Sequence, residues 1–396
     1  MRSMKDSHST QGRDDLLRFL DLLEDRLNAD EQQEIRQRHM RAGLWEDVDR
    51  PPVRITPPWD RRSVQFHPVS EAVANPAKML VNELLRGHAS VLDWLTVKDD
   101  RPLQVRPDFG IGLVASTFGA RIEVVDDNPP WVHSLTESGV EETIERVLDA
   151  CAPSTSHERG WIPRVIETLD FYRQALNDYP NATASIAVAM PDLQGPFDTA
   201  EMLWGSGIFL ALHANPALVD RFLGAIAEAM VHLHTVLRRW VGRELLPEGF
   251  SHQHGMMIRG NLMLRCDSNL MMHPEMYADQ VLPHDRRVLE GVGGGSYHSC
   301  GRWEQNIPAI MEVDAVGSLD FGTNQSQLND IDAIYLRARP YKKHLHLVTV
   351  TPEELTSGCI RSRFPTGVTL ACQVGSVDDA AYLMRQYAGQ QWQSSR

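Results

Sequence analysis

The sequence lacks any apolar run near the roughly 20 residues that a membrane-spanning helix needs. Its first residues, "MRSMKDSHSTQGRDDLL", are charged and have no apolar centre of the kind found in secretory signals. We therefore expect neither a membrane anchor nor export, and a cytoplasmic location.

Cysteine and positive charge are also scarce. Five cysteines are scattered along 396 residues, an odd number that does not suggest a disulfide framework. The 39 Lys and Arg residues are outnumbered by 53 Asp and Glu residues, which gives a net charge of −14. This balance argues against nucleic acid or an anionic membrane as the main partner.

A third feature that the sequence lacks is a GxGxxG motif between an early strand and helix, which disfavours a dinucleotide-binding fold. Instead, strand-like segments such as "GSYHSC", "GSLDFG", "HLHLVTV" and "GVTLAC" alternate with helical ones up to the last residues. Polar residues follow several of these strands. We therefore predict the α/β class, as an (β/α)₈ TIM barrel over residues 51–396.

Residues 1–50 are predicted to form an N-terminal helical extension, because leucines recur at helical spacing between Arg13 and about Met40. Two further predictions can be checked directly. "GMMIRGNLML" reads as one strand, and the long helix that starts at Pro216 has Asn215 as its N-cap.

The segment "GGGSYHSCGRW" carries the main candidate chemistry. On a strand, His298 and Cys300 point to the same side. Cys372, at the end of "GVTLAC", is the best third donor, and an N, S, S set would leave zinc an open fourth position. The alternative is that His298 forms a hydrogen bond in the core and both cysteines are small buried hydrophobic residues.

Other polar residues near strand ends are candidates for supporting roles. Asp267 is a fourth ligand or substrate contact, or else the N-cap of the next helix. Gln194, with Asp192, is placed to hold the substrate, although the following Gly-Pro also favours a simple turn. Asp320 is placed to orient His298 through its second ring nitrogen, or ends its strand in an ordinary turn.

Two histidine pairs complete the candidates. His252 and His254 stand in a polar connection, where we expect surface residues rather than ligands. His232 and His234 are two apart on a helix and so face different sides.

Four segments together resemble the uroporphyrinogen decarboxylase superfamily: "SIAVAMPDLQGPFDTAEMLWG", "MMHPEMYADQVLPHDRRVLEGVGG", "SYHSCGRW" and "GVTLACQVGSVDDAAYLM". The similarity runs from about Val53 to the last residues. It implies a (β/α)₈ barrel and, in one branch of the family, zinc-dependent, cobalamin-linked methyltransferases. Their His-x-Cys and distant Cys ligands correspond to His298, Cys300 and Cys372.

The chain departs from the decarboxylase branch. It has "ITPPWDRRS" where that branch carries a "MRQAGRY"-like motif, and no corrinoid-binding "DxHxxG" signature occurs. The resemblance therefore implies methyl transfer between a small methyl donor or thiol and a corrinoid, cobalamin, on a partner protein. Homodimers are frequent in the family.

Two alternatives stay open. One is a lyase or decarboxylase that acts on a small carboxylic acid without corrinoid, with Arg61, Arg62 or Arg106 binding the carboxylate. The other is a metal-stabilised barrel that binds a tetrapyrrole or a partner without catalysis.

Overall fold

The structure, a computed structural model, describes residues 2–58, 66–85, 90–135, 139–241, 245–253 and 255–390, with side chains from residue 12 onward. The strands are β1 (Val53–Thr56), β2 (Gln104–Val105), β3 (Arg121–Glu123), β4 (Trp131–His133), β5 (Ala187–Val188), β6 (Phe250–Gln253), β7 (Met256–Arg259), β8 (Leu262–Arg265), β9 (Gly295–His298), β10 (Val316–Asp320), β11 (His344–Thr349) and β12 (Val368–Gln373).

Helices separate most of these strands. They are α1 (Arg2–Arg26), α2 (Ala29–Gly43), α3 (Val69–Ala72), α4 (Pro76–Leu85), α5 (Val91–Val97), α6 (Leu113–Thr117), α7 (Val140–Ala150), α8 (Ile162–Asn177), α9 (Pro180–Ser185), α10 (Pro196–Trp204), α11 (Ile208–Ala214), α12 (Pro216–Leu237), α13 (Pro274–Met276), α14 (Leu282–Gly291), α15 (Ile307–Met311), α16 (Ile331–Tyr341), α17 (Pro352–Thr356), α18 (Ile360–Arg363) and α19 (Val377–Ala388). Short 3₁₀ helices span Pro153–Glu158, Asp267–Met271 and Ser326–Leu328, and a π-helical turn spans Tyr277–Val281. None of the described helices combines the length and apolar character needed to cross a membrane.

The centre of the molecule is a parallel sheet of six strands in the order β1-β12-β11-β10-β9-β8. A second parallel sheet pairs β2 with β5. The predicted α/β class is therefore confirmed. The two parallel sheets contain six and two strands, and two antiparallel pairs, β3 with β4 and β6 with β7, lie between these strands along the chain. Within the described residues no ladder of hydrogen bonds joins the two sheets. Two backbone hydrogen bonds link residues that precede β2 and follow β5 to the central sheet: Asp100 N to Val53 O (3.0 Å) and Gly195 N to Arg265 O (2.9 Å).

Two local predictions are wrong. The segment from Met256 to Leu264 is not one strand, because β7 pairs antiparallel with β6 while β8 joins the central sheet. Gly260 makes the break at φ +97°, where a Cβ would lie 2.2 Å from the carbonyl carbon of Gly294. The predicted N-terminal helix is likewise two helices, since Asn28 caps α2 by accepting from Asp30 N.

The N-cap prediction for α12 is confirmed. The Asn215 side chain accepts from Leu218 N, and Pro216 occupies the first turn, where a missing N–H costs nothing.

The strands separate two apolar clusters. The large cluster includes Leu264, Tyr297 and Leu370, which face the helical layer. The small cluster includes Met263 and Ala371 on the opposite faces of the same strands. Because side chains alternate along a strand, cluster membership tells which way each neighbouring polar residue points.

The N-terminal helices are fixed to the start of the parallel strands by buried polar contacts around Asp100. This carboxylate accepts from Arg50, from Arg38 (2.7 Å) and from Val53 N (3.1 Å). His39 of α2 also contacts the Asp100 carbonyl (2.6 Å). Burial opposes ionisation of Asp100, but Arg50, Arg38 and the Val53 N–H together outweigh it and hold the pKa of that carboxyl below its usual value.

Replacing Asp100 by asparagine should therefore destabilise the protein by about 3–5 kcal/mol, because Arg50 and Arg38 lose a buried counter-charge. Urea denaturation measures the loss. Asp49→Asn is the matched control, since Asp49 pairs with the same Arg38 but is 59% exposed, and it should cost about 0–1 kcal/mol. Equal losses in both variants would contradict this account of Asp100.

Four histidines are buried near this end of the strands: His39, His252, His344 and His346. The rings of His344 and His346 lie 4.3 Å apart between centroids. Neither ring nitrogen of His252 or His346 has a hydrogen-bond partner among the described residues. The surface position expected for His252 is thus wrong, because the β6–β7 hairpin turns it inward; His254 lies outside the described residues.

Burial lowers the pKa of His39 to about 4 and that of His344 to about 3. Between pH 7 and pH 5 the unfolded chain gains protons that these folded residues cannot take up, so stability falls as the pH drops below about 6.5. Each such histidine should contribute about 2 kcal/mol of loss. Urea denaturation of His344→Gln at both pH values should show a correspondingly smaller loss, whereas the exposed control His213→Gln should match the wild type.

Candidate metal centre

The structure brings Asp267, His298 and Cys300 together. One side-chain donor atom from each lies within 4.8 Å of the other two. His298 Nε2 is 3.5 Å from Cys300 Sγ and 3.5 Å from Asp267 Oδ1. This is an N, S, O donor set of the kind that binds zinc.

Two neighbouring strand ends build the cluster. The sequence predicts that Cys300 lies on the same strand as His298. In the structure β9 ends at His298, and Cys300 lies just beyond it. β8 ends at Arg265, and Asp267 opens the 3₁₀ helix that follows. The Cys300 N–H donates to Asp267 Oδ1 (2.7 Å), which locks the two loops together.

Glycine gives the site its room. Gly322, after β10, has φ +73°, and a Cβ there would lie 3.4 Å from Cys300 Sγ and 3.5 Å from His298 Cε1. A larger residue would have a strained backbone at this φ, and its Cβ would be in van der Waals contact with both donor residues.

Asp320 sets the orientation of the His298 ring. The two residues are register partners in β10 and β9, and the Nδ1–H donates to Asp320 Oδ2 at 2.6 Å. Burial alone would lower the pKa of His298, but the charge and hydrogen bond of Asp320 outweigh it and raise that pKa to about 10. Nε2 is left facing Cys300 and Asp267, which is the arrangement of a metal-binding histidine.

The neighbouring positive charges are already paired. Arg265, the register partner of His298 on β8, donates to Asp192 at 2.6 Å. Arg106 lies 3.5 Å from Asp192 and 3.6 Å from Asp108. Asp192 therefore serves as a counter-ion for two arginines rather than as a simple turn residue.

Gln194 is not part of the metal donor group but lines a cavity of about 560 Å³, which Asp267 also lines.

Sequence reasoning missed Asp198 in the first turn of α10, which lines this cavity too. Its carboxylate accepts from Asp267 N (2.7 Å) and Ser268 N (3.1 Å). Burial, aided by the charge of Asp267, raises the pKa of Asp198 to about 6. The only sequence signal was an acidic residue directly after "GPF".

Cys372 is not brought to this group. It belongs to the large apolar cluster with Leu370, whereas Thr369, on the other face of β12, contacts His344 in the interior. Burial, with a smaller effect from Glu353 and its neighbour on α17, raises the pKa of Cys372 to about 12. Its role as a zinc ligand stays a prediction.

The other residues that the sequence singled out lie partly outside the described residues and partly away from the donor group. Arg61 and Arg62 lie outside the described residues. Asp267 is not the N-cap of α13, whose N-cap is His273. His232 contacts His157, with 2.8 Å between ring nitrogens, while His234 is buried near Asn261 O, so these two face different surroundings.

Comparisons with known proteins give a structural likeness only. No protein-family model matches the sequence, and no curated protein matches it. Among solved structures, the chain is similar to a methyltransferase from Methanosarcina mazei, with a TM-score of 0.60 over 89% of this chain and 98% of that one. At 16% sequence identity this likeness shows the fold.

Proposed function

We propose that the protein is a zinc-dependent methyltransferase that moves a methyl group between a small substrate or thiol and a corrinoid carried by a partner protein. The observation that carries the proposal is the Asp267, His298 and Cys300 donor group with Asp320 behind His298. The likeness in fold to a methyltransferase supports it. The proposal includes closure of the two parallel sheets into one (β/α)₈ barrel.

The donor set fits zinc. A thiol sulfur, an imidazole nitrogen and a carboxylate oxygen are each ordinary zinc ligands, and three protein ligands leave one position for substrate. Zinc held there would lower the pKa of a bound thiol and so favour the nucleophilic thiolate. In the proposal His298, Cys300 and Asp267 are the three ligands, and Asp267 takes the place that the sequence predicts for Cys372.

The protein's own residues have distinct tasks in this scheme. Asp320 holds the His298 ring with Nε2 toward the other donors. The Asp267 side chain is 42% exposed and borders the cavity, so a substrate can reach it. Because the chain has no corrinoid-binding signature of its own, the corrinoid would come from a partner that docks over this end of the strands.

The lyase alternative has less support. Of its three candidate carboxylate-binding arginines, Arg106 already lies near two aspartates, which compensate its charge. The lyase alternative also gives the Cys300 thiol no role in the reaction.

Metal content tests the site. Wild-type protein dialysed against zinc should retain about one zinc ion per chain, and Cys300→Ser should lose it. Cys359→Ser, which removes an exposed cysteine elsewhere, should retain it. Asp320→Asn should weaken zinc binding by about 10–100-fold, since it removes the partner of the ligand histidine. Cys372→Ser decides whether that residue is a ligand, and wild-type protein free of zinc would refute the proposal.

Methyl exchange with free cobalamin tests the reaction. Zinc-loaded wild type with methylcobalamin and mercaptoethanol should form the methyl thioether, followed by mass spectrometry and by the absorbance of cob(I)alamin. Cys300→Ser should lower the rate at least about 100-fold, because it removes a metal ligand, while Cys359→Ser keeps it. Carbon dioxide release from carboxylic acids without cobalamin would instead support the lyase.

A further inference from the structure

The cavity beside the metal donors has an unusual lining. It lies between α10, the 3₁₀ helix Asp267–Met271 and the β3–β4 hairpin, and it holds about 560 Å³. Three carboxylates line it, from Asp198, Glu201 and Asp267. Since Asp267 belongs to both, the cavity adjoins the candidate metal centre.

The carboxylates are held by neutral donors. Backbone N–H groups of Asp267 and Ser268 donate to Asp198, the Ser268 hydroxyl donates to Glu201, and Cys300 N–H donates to Asp267. Across the described part of the chain, neither Lys nor Arg forms an ion pair with any of the three. The negative charges of Asp198 and Glu201 are therefore available to attract a cation, whereas Asp267 also belongs to the metal donor group.

His298 is the basic group nearest to Asp267, with 3.5 Å between Nε2 and Oδ1, and it belongs to the donor group. Two further basic groups are paired elsewhere. Arg265 pairs with Asp192 at 2.6 Å. His133, which also lines the cavity, lies 2.8 Å from Glu123. Neither group cancels the acidic character of the cavity.

Two further residues show what kind of cation fits. Gln194 is 5% exposed and lines the cavity, yet its Oε1 has no hydrogen-bond partner among the described residues. An unpaired buried acceptor is costly and calls for a donor. Trp131 lines the same cavity and is 66% exposed, which leaves its ring free to contact a ligand.

These features disfavour a bare metal ion. Asp198 and Glu201 do not belong to the group of metal-donor atoms found among the described residues. That group is Asp267, His298 and Cys300, whose donor atoms all lie within 4.8 Å of one another. A tryptophan face attracts an organic cation, whose alkyl groups also bury apolar surface.

We propose that this cavity binds an N-methylated, protonated ammonium group of the substrate. The carboxylates of Asp198 and Glu201 supply the negative field, Trp131 contacts the methyl groups, and Gln194 Oε1 accepts from the N–H. The inference rests on the proposed function in that it names the substrate class for the same site.

Isothermal titration calorimetry at neutral pH tests this with three probes of similar shape. N,N-dimethylethanolamine carries the charge and an N–H, choline carries the charge alone, and isoamyl alcohol carries neither. N,N-dimethylethanolamine should bind at least about tenfold more tightly than isoamyl alcohol, and choline should lie between them. Equal binding of charged and uncharged probes would overturn the proposal, and equal binding of both cations would overturn the role of Gln194.

Variants locate the binding. Trp131→Leu and Glu201→Gln should each weaken binding of N,N-dimethylethanolamine about fivefold or more, with circular dichroism confirming that both fold. Glu228→Gln, which removes an exposed carboxylate on α12, is the control and should bind like wild type. Unchanged binding in both cavity variants would contradict the assignment.

The same titration separates this inference from the metal proposal. Cys300→Ser protein treated with a chelator should still bind N,N-dimethylethanolamine, because the cavity residues remain. Zinc binding without amine binding would reject only the ammonium site. Amine binding without zinc would reject the proposed methyltransferase chemistry and leave the cavity assignment standing.

Discussion

The parallel register of β8, β9 and β10 is the constraint on which the site depends. It sets Arg265, His298 and Asp320 side by side on one face of the sheet. His298 can then use one ring nitrogen for Asp320 and turn the other toward Cys300. A shift of one residue would move His298 to the face that Tyr297 now occupies, against the helices, and the donor group would not form.

The loops beyond these strands add a second level of order. Asp267 accepts the Cys300 N–H through its side chain, and its own N–H donates to Asp198 at the start of α10. One residue therefore links the donor group to the acidic cavity. Because the links are short hydrogen bonds between rigid elements, a ligand in the cavity would have a fixed position relative to the donors.

The opposite ends of the strands have different roles. At the amino end, buried charges around Asp100 and the buried His39 of α2 attach the N-terminal helices. At the carboxyl end, the donor group and the cavity remain partly exposed. The contacts that attach the N-terminal helices and the proposed site thus use separate sets of residues, as in other folds built from parallel strands and helices.

The sequence by itself determined the α/β alternation, because strand and helix periodicity are local properties of the backbone. It also predicted that His298, Cys300 and Asp320 meet, but the contact of His298 with Asp320 depends on the register between β9 and β10. Only the tertiary structure decided that Cys372 faces the helical layer, since this depends on where β12 begins and which neighbours pack against it. The only local signal of the cavity residue Asp198 is its place directly after "GPF". It meets Asp267, 69 positions away, only because α10 packs beside the end of β8.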